Sequence, residues 1–426
     1  MATRSAICKT VLPNGVRILS ERVSYVDSVS VGIWAKAGSC DEDKKQHGIS
    51  HFVEHMLFKG TQRRTARQIA DEIDSLGGHL NAFTDKEFTC YYTKVLEEHL
   101  GTALDIVSDM FLNSKFDVVE IEREKNVVLE EIKRHQDTPE DHVHDLLVQA
   151  LWKNHPLGNP VIGSARTVRR LTRQDLTEYV DRFYRPDAIV IAAAGNVDHD
   201  RLVDLVAGPF GQLSGTRPPR VHVEAVAETK PMLLNRATEQ VHFCLGTQGF
   251  AQDRHEKYAL AAIDSILGGG MSSRLFQEIR ENRGLAYAIG SYCASYQEAG
   301  LFAIYGGTSI QNVKQVIELA QIECAKIARE SVTNEELERS KNQIRGALVL
   351  GQESMSNRMS RLAKSEIYFG RIVRLDEIIS QIMAVGRDDI AEVASQLFGN
   401  GTFALAAIGP FRKHADLVGE GLVKVG

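Results

Sequence analysis

An internal repeat constrains the fold of this 426-residue chain more than any other feature of its sequence. Residues 175–195 (DLTEYVDRFYRPDAIVIAAAG) align without gaps to residues 389–409 (DIAEVASQLFGNGTFALAAIG), at an offset of 389 − 175 = 214. A second block, residues 122–126 (EREKN), matches residues 338–342 (ERSKN) at an offset of 338 − 122 = 216. Matching blocks in the same order indicate a duplication, which predicts two homologous units of about 200 residues each.

Strand and helix patterns are mixed within each half of the chain, which predicts an α+β fold. Asn14-Gly15 is a turn signal between two apolar segments, and residues 28–38 alternate in the manner of a half-buried strand. Helical patterns extend over residues 96–114 and 117–153. We therefore expect each unit to be a β-sheet packed with long helices.

A change of composition separates the two halves. Residues 209–222 (PFGQLSGTRPPRVH) are rich in Gly, Ser, Pro and Arg, a composition typical of a linker. We therefore expect a first unit at residues 1–210, a linker at 211–222 and a second unit at 223–426.

Charge and composition bear on the class of partner and on location. The formal net charge is −6 without a dense basic block, which argues against nucleic acid or an anionic membrane as the main partner. No unbroken apolar run reaches about 18 residues, so we expect no membrane span. The six cysteines are scattered without a CxxC pair, and the first residues lack a signal-peptide pattern. These features predict a cytoplasmic protein with free thiols, an organellar matrix being the less favoured location.

The segment His51-Phe52-Val53-Glu54-His55 is the strongest candidate for chemistry. On a helix His51, Glu54 and His55 project from one face, because residues three and four apart are neighbours there. Two imidazoles at this spacing can bind one Zn²⁺, and Glu54 beside them can act as a base. The alternative is a core helix with incidental histidines, although two His and a Glu are costly to bury without a function.

A catalytic zinc needs a third protein ligand, and the acidic helix that follows offers two candidates on one face, Glu124 and Glu131 (131 − 124 = 7). The internal repeat compares these positions with the second unit. There the corresponding positions hold other residues: Ala261 for His51, Asp264 for Glu54, Ser265 for His55, Ser340 for Glu124 and Ala347 for Glu131. We therefore expect one catalytic and one non-catalytic unit.

An HxxEH motif followed by a glutamate 131 − 55 = 76 residues later resembles the M16 (pitrilysin or inverzincin) metallopeptidases. The length, the duplication and VVLEEI around Glu131 resemble the subfamily of the mitochondrial processing peptidase β subunit and its bacterial relatives. The resemblance implies one zinc per chain, held by His51, His55 and Glu131, with Glu54 as general base. It also implies that Glu124 supports a ligand histidine.

The same resemblance extends to four residues outside the motif. Arg280 and Tyr287 match an Arg and a Tyr of the C-terminal unit that complete the family's active site (287 − 280 = 7). Without it, Arg280 would be interpreted as a surface helix residue and Tyr287 as part of a half-buried strand. Asn81 and Ala82, in GGHLNAFT, match the edge strand to which a substrate peptide adds. The alternative for this stretch is an ordinary hairpin.

The resemblance implies a zinc endopeptidase whose two units close like a clamshell around short or unfolded peptides. A homodimer is expected from the family alone. Two alternatives remain: a non-catalytic core subunit, and a processing-peptidase-like subunit that needs a partner chain. The short glycine run at residues 267–275 departs from the long glycine-rich loop of the α subunits, which favours a self-sufficient bacterial-type enzyme.

Overall fold

The structure, a computed structural model, describes residues 6–412 and residue 417. These residues form eleven strands and fourteen α-helices. The strands are β1 (Ala6–Val11), β2 (Arg17–Arg22), β3 (Ser28–Ala35), β4 (His79–Thr84), β5 (Thr89–Leu96), β6 (Ile189–Gly195), β7 (Met232–Asn235), β8 (Val241–Gly249), β9 (Ala286–Ser295), β10 (Gly300–Thr308) and β11 (Ala404–Gly409). The helices are α1 (Ile49–Leu57), α2 (Ala66–Ser75), α3 (Leu100–Asn113), α4 (Val118–Asp137), α5 (Pro139–Leu151), α6 (Ala165–Val168), α7 (Arg173–Phe183), α8 (His199–Gly211), α9 (Glu256–Leu267), α10 (Val313–Glu330), α11 (Asn334–Gly351), α12 (Met355–Phe369), α13 (Leu375–Ala384) and α14 (Arg387–Phe398).

The chain divides into two compact α+β units, each with its own sheet and helices. The first sheet has the strand order β1-β2-β6-β3-β5-β4 and the second β7-β11-β8-β10-β9. Apart from β1, the two orders correspond strand for strand, and β2–β6 and β7–β11 are both parallel pairs. Helix α7 begins at Arg173 and α14 at Arg387, which reproduces the sequence offset of 387 − 173 = 214. The predicted fold of two homologous α+β units is confirmed.

Each unit includes one helix from the other half of the chain. Besides the bulk of the first half, the first unit contains residues 351–373, and the second contains residues 134–158. Helix α12 packs against β3 and β6, and α5 packs against β8 and β11. The domain boundaries predicted from the sequence divide the chain into contiguous segments, whereas the packing divides it into interleaved ones. The sequence-based boundaries therefore stay a prediction.

Two segments differ in detail from the sequence expectation. The helical pattern predicted over 117–153 is interrupted, since α4 ends at Asp137 and α5 starts at Pro139. Proline has no N–H to donate, so it is favoured in the first turn of a helix, where that group would have no partner within the helix. The predicted linker starts with helix, because α8 continues through Pro209 to Gly211. Beyond it, Arg220 donates at 2.8 Å to Asp41, whose side chain is inaccessible to solvent, and this bond connects the segment to the first unit.

Helix α1 carries the HxxEH motif and is fixed by the core of the first unit. Phe52, Val53 and Met56 are buried in that core together with side chains of β3 and β5. The helix starts after Gly48, which has a φ of +92°. A Cβ there would lie 2.7 Å from the carbonyl oxygen of Ile162, so this entry into α1 requires glycine.

The first turn of α1 is also capped by an acidic side chain, whose pKa burial raises to about 8. The Glu42 carboxylate accepts the backbone N–H groups of Gly48 at 2.8 Å and of Ser50 at 2.9 Å. Such groups have no partner within a helix, and an acid at this end is favoured by the helix dipole. The cap and the core packing together fix the direction in which the other face of α1 points.

Two further findings concern the sequence as a whole. Within the described ranges, no helix is both long enough and apolar enough to cross a membrane. All six cysteines are free thiols.

Candidate metal centre

The polar face of α1 and one glutamate of α4 form a compact cluster in the first unit. The Nε2 atoms of His51 and His55 lie 3.3 Å apart. Glu131 reaches both rings, with Oε1 3.6 Å from His51 Nε2 and Oε2 3.5 Å from His55 Nε2. Among the described residues, these three form the one group of His, Cys, Asp and Glu with the spacing of a metal site.

The cluster fits zinc by its geometry and by its donors. Ligands about 2.05 Å from a tetrahedral zinc are about 3.3 Å from one another, close to the separations between these atoms. Glu131 Oε2 is buried and has no hydrogen-bond partner among the described residues, as expected of an atom kept for a metal. Two His and one Glu, with a fourth position left open, are the donor set of a catalytic zinc site.

Glu124 contacts His55 through Nδ1, the ring nitrogen that does not belong to the cluster. Its side chain is only 5% exposed, and Oε1 lies 2.8 Å from His55 Nδ1. When Nδ1–H donates to this carboxylate, Nε2 keeps its lone pair on the side of the cluster. The other oxygen, Oε2, lies 2.6 Å from the Lys59 ammonium. Glu124 thus connects His55 to a cation in the turn directly after α1.

Burial and neighbouring charges shift the pKa values of the two rings in opposite directions. Burial and the neighbouring His55 lower the pKa of His51 to about 3, so this ring is neutral at pH 7. For His55, burial opposes the charged form, but the hydrogen bond to Glu124 and the nearby glutamates raise its pKa. Burial also opposes the charge of Glu124, yet the hydrogen bonds from His55 and Lys59 lower its pKa and keep it anionic.

Glu54 lies on the same face and is held by the edge strand of the sheet. Thr84, the last residue of β4, donates its hydroxyl to Glu54 Oε2 at 2.5 Å. Burial raises the pKa of Glu54, although the bond from Thr84 opposes this shift. A carboxylate with a raised pKa is a better proton acceptor near neutral pH than an ordinary surface glutamate.

The strand β4 that holds Thr84 also carries Asn81 and Ala82. It pairs with β5 on one side only and forms an edge of its sheet. The backbone N–H of Ala82 donates to the side-chain Oδ1 of Asn81 at 2.8 Å. An edge strand of this kind can pair with a further strand through its main chain.

Arg280 and Tyr287 lie in the second unit and contact each other. Arg280 belongs to a π-helical turn, Phe276–Glu281, and Tyr287 to the edge strand β9. The Arg280 guanidinium lies 4.6 Å from the centroid of the Tyr287 ring, which is 77% exposed. The structure brings these two residues together as a cation–π pair.

Sequence reasoning missed Lys59 and Thr84. For Lys59 the sequence indicates only a cation favoured at the end of a helix, although its position four residues after His55 allows both side chains to reach one partner. Thr84 belongs to the stretch matched to the substrate strand, and no sequence signal connected it to Glu54. Both contacts depend on packing between elements distant in sequence.

Comparison with known proteins identifies the family. Residues 17–165 match the family described as insulinase (peptidase family M16), and residues 170–344 match the one described as peptidase M16 inactive domain. An uncharacterized zinc protease of Bacillus subtilis, YmxG, is 44% identical over 402 residues, which cover 93% of this chain and 97% of the relative. The chain belongs to peptidase family M16. A second M16 relative, an uncharacterized zinc protease of Mycobacterium leprae, is 40% identical over 98% of this chain and 95% of its own length.

Two solved structures share the fold. A protease from Helicobacter pylori superposes with a TM-score of 0.89 at 20% identity, covering 96% of this chain and all of that chain. A peptidase M16 inactive domain from Pseudomonas fluorescens gives a TM-score of 0.88 at 19% identity, covering 95% and 98% of the two chains. At these identities the likeness concerns the fold alone.

Proposed function

We propose that this M16 chain is a zinc-dependent endopeptidase that cleaves short or unfolded peptides. The observation that carries the proposal is the convergence of His51, His55 and Glu131, with ligand atoms 3.3–3.6 Å apart, beside a base held at 2.5 Å by Thr84. These three residues would hold one Zn²⁺ per chain. When bound, the ion supplies a Lewis acid that acidifies a water and polarises a peptide carbonyl.

The protein groups around the cluster have separate roles in this proposal. Glu54 accepts a proton from the attacking water on Oε1, the oxygen not bonded to Thr84, and later gives it to the leaving amine. Glu124 keeps the Nε2 atom of His55 facing the cluster. Because Thr84 holds one oxygen of Glu54, the base needs little reorganisation when substrate arrives.

Substrate binding is assigned to the open edge of β4. An extended peptide adds as a further strand, and a peptide carbonyl competes with Asn81 for the backbone N–H of Ala82. Main-chain pairing requires an extended substrate, so folded proteins are excluded unless they expose a loose segment. Such pairing accepts many sequences, which leaves side-chain preference to pockets.

The remaining elements of the proposal come from the family resemblance. Arg280 and Tyr287 would donate hydrogen bonds to the oxyanion that develops on the attacked carbonyl. The proposal also includes three further elements: the two units enclose the substrate, the chain forms a homodimer, and the protein is cytoplasmic. Sedimentation of the purified chain tests the dimer, which requires the mass of two chains.

Cleavage-site mapping by mass spectrometry on a library of unfolded peptides tests the function. We expect the purified single chain to cleave internal bonds, to lose activity after treatment with a zinc chelator and to regain it when zinc is returned. Cleavage that survives complete removal of metal would contradict the proposal. A chain that holds zinc yet cleaves only when a second protein is added would favour the partner-dependent alternative.

A further inference from the structure

Lys59 has a contact that points to a role in the metal centre. It lies in the turn directly after α1, where its backbone N–H donates to the carbonyl of Met56 at 3.0 Å. Its ammonium is 2.6 Å from Glu124 Oε2, while Glu124 Oε1 is 2.8 Å from His55 Nδ1. We propose that Lys59 is a positioning residue that fixes Glu124 and, through it, the zinc-binding ring of His55. This inference rests on the proposed zinc function.

The geometry explains why a single hydrogen bond to His55 is insufficient. A carboxylate held at one oxygen can rotate about its last bond, and the ring bonded to it turns with it. Glu124 is held at both oxygens, each by a nitrogen, which fixes the plane of the carboxylate. Charge-assisted bonds of this length are among the strong hydrogen bonds in proteins. The plane of the carboxylate in turn fixes the direction of His55 Nε2.

Helical spacing makes this arrangement possible. His55 lies in α1 and Lys59 four residues later in the turn that follows it, and at this spacing both side chains reach Glu124 on α4. The carboxylate therefore bridges a side chain of α1 and one of the turn that follows it.

The second unit separates this role from a general structural one. Aligning Leu57 with Leu267 gives an offset of 210, which places Gly269 (59 + 210) at the position of Lys59. Glu124 corresponds to Ser340, whose hydroxyl donates to the carbonyl of Ala262 at 3.2 Å. The two helices of the second unit are thus connected by a neutral bond, without the cation or the carboxylate. The second unit thus lacks counterparts of both Lys59 and Glu124, and it also lacks the proposed zinc ligands.

The direction in which zinc affinity changes when Lys59 is removed distinguishes a positioning role from a purely electrostatic one. A cation close to a metal site repels the metal, so a lysine that acted only through its charge would weaken zinc binding, and its removal would tighten it. A lysine that fixes the ligand ring does the opposite, and its removal weakens zinc binding. Loss of partners around metal ligands typically costs about 10–100-fold in metal affinity.

The test measures the zinc Kd of the full chain by competition with a chromogenic chelator at one fixed pH. The variants are Lys59→Met, Lys59→Gln and Lys59→Arg, with Lys125→Met as control. Lys125 is also a partly buried lysine paired with a glutamate, its Nζ being 2.7 Å from Glu122 Oε1, so the control removes the same charge from a comparable pair. Circular dichroism of the metal-free chains identifies any variant that does not fold.

We expect Lys59→Met and Lys59→Gln to raise the zinc Kd about 10-fold. Lys59→Arg, which keeps a cation for Glu124, should stay close to wild type, and Lys125→Met should not change the Kd. A folded Lys59→Met or Lys59→Gln chain that binds zinc as tightly as Lys125→Met, or more tightly, overturns this inference alone. A folded wild-type chain that binds no zinc overturns the proposed function itself.

Discussion

The face of α1 in the first unit and the face of α9 in the second are built alike but carry different residues. In the first, Thr84 of edge strand β4 donates to Glu54 of α1 at 2.5 Å. In the second, Ser291 of edge strand β9 donates to Asp264 of α9 at the same distance. A bond between a helix acid and an edge-strand hydroxyl is therefore common to both units.

The proposed metal ligands of the first unit have no counterparts in the second unit, whereas the acid–hydroxyl bond is present in both. The positions of His51, His55 and Glu131 hold Ala261, Ser265 and Ala347 in the second unit, so no donor set remains there. Since the second unit forms the same sheet order and the same helix without them, the fold does not require these side chains. The comparison is therefore consistent with the proposed zinc-binding role of these three residues, and it shows that the acid–hydroxyl bond also forms in a unit without them.

The two units should differ most in how replacement of their helix acids, Glu54 and Asp264, changes the rate of peptide cleavage. Glu54→Gln removes the proposed base, and we expect peptide cleavage to fall about 10³-fold with zinc content unchanged, since general bases contribute about 10²–10⁴-fold. Asp264→Asn makes the same chemical change in the second unit and should leave the rate within about two-fold. Steady-state cleavage with metal analysis checks both variants. Equal losses in the two would show that the units are not functionally distinct.

The next prediction tests whether the second unit contributes to catalysis without a metal. Arg280→Ala and Tyr287→Phe should each lower kcat with zinc content unchanged, the former by about 10²-fold as for loss of an oxyanion donor. Tyr25→Phe is the control, because Tyr25 is 76% exposed and Tyr287 77%. Normal kcat in both second-unit variants would restrict the chemistry to the first unit.

A smaller effect is expected from the two hydroxyls. Thr84→Val keeps the shape of the side chain but removes the bond that orients Glu54, and we expect kcat to fall about 10-fold while KM stays unchanged. Thr84→Ser should restore the rate, whereas Ser291→Ala in the second unit should not change it. A Thr84→Val chain with normal kcat would mean that Glu54 is oriented by other contacts.

The smallest expected effect is a pH-dependent change in stability. Burial raises the pKa of Asp264, opposed by the bond from Ser291. Its contribution to stability is therefore complete below the ordinary aspartate pKa of about 3.9 and is lost as the pH rises through the folded-state value. Asp264→Asn does not titrate, so its Tm relative to wild type should rise by a few degrees between pH 4 and pH 8, about 2–4 °C per kcal/mol for a unit of this size. Scanning calorimetry at the two pH values checks this, with the exposed Asp204→Asn as control; a Tm difference that does not depend on pH would contradict it.

Sequence reasoning reached the parts of the molecule that local spacing determines. The HxxEH spacing alone predicts that His51 and His55 meet, because helix geometry fixes residues four apart. The repeat offset predicts the correspondence of α7 with α14 before any packing is known. Glu131 was assigned by resemblance, and the structure brings it within 3.5–3.6 Å of both rings.

The parts that were missed depend on tertiary packing. The contacts of Thr84 with Glu54 and of Lys59 with Glu124 join elements that are distant in sequence, and no periodicity records them. The exchange of α5 and α12 between the units is of the same kind, since each helix has an ordinary amphipathic pattern that does not specify which sheet it covers. The end of α4 before Pro139 had a local signal, because the residue before a proline is disfavoured in a helix.

The number of zinc ions per purified chain tests most directly the claim that only the first unit forms a metal centre. Metal analysis should compare wild type with His55→Ala and with Ser265→Ala, the matching change in the second unit. We predict about one zinc for wild type and Ser265→Ala, and close to none for His55→Ala. Two zinc ions in wild type, none in wild type, or retention of zinc by His55→Ala would contradict it.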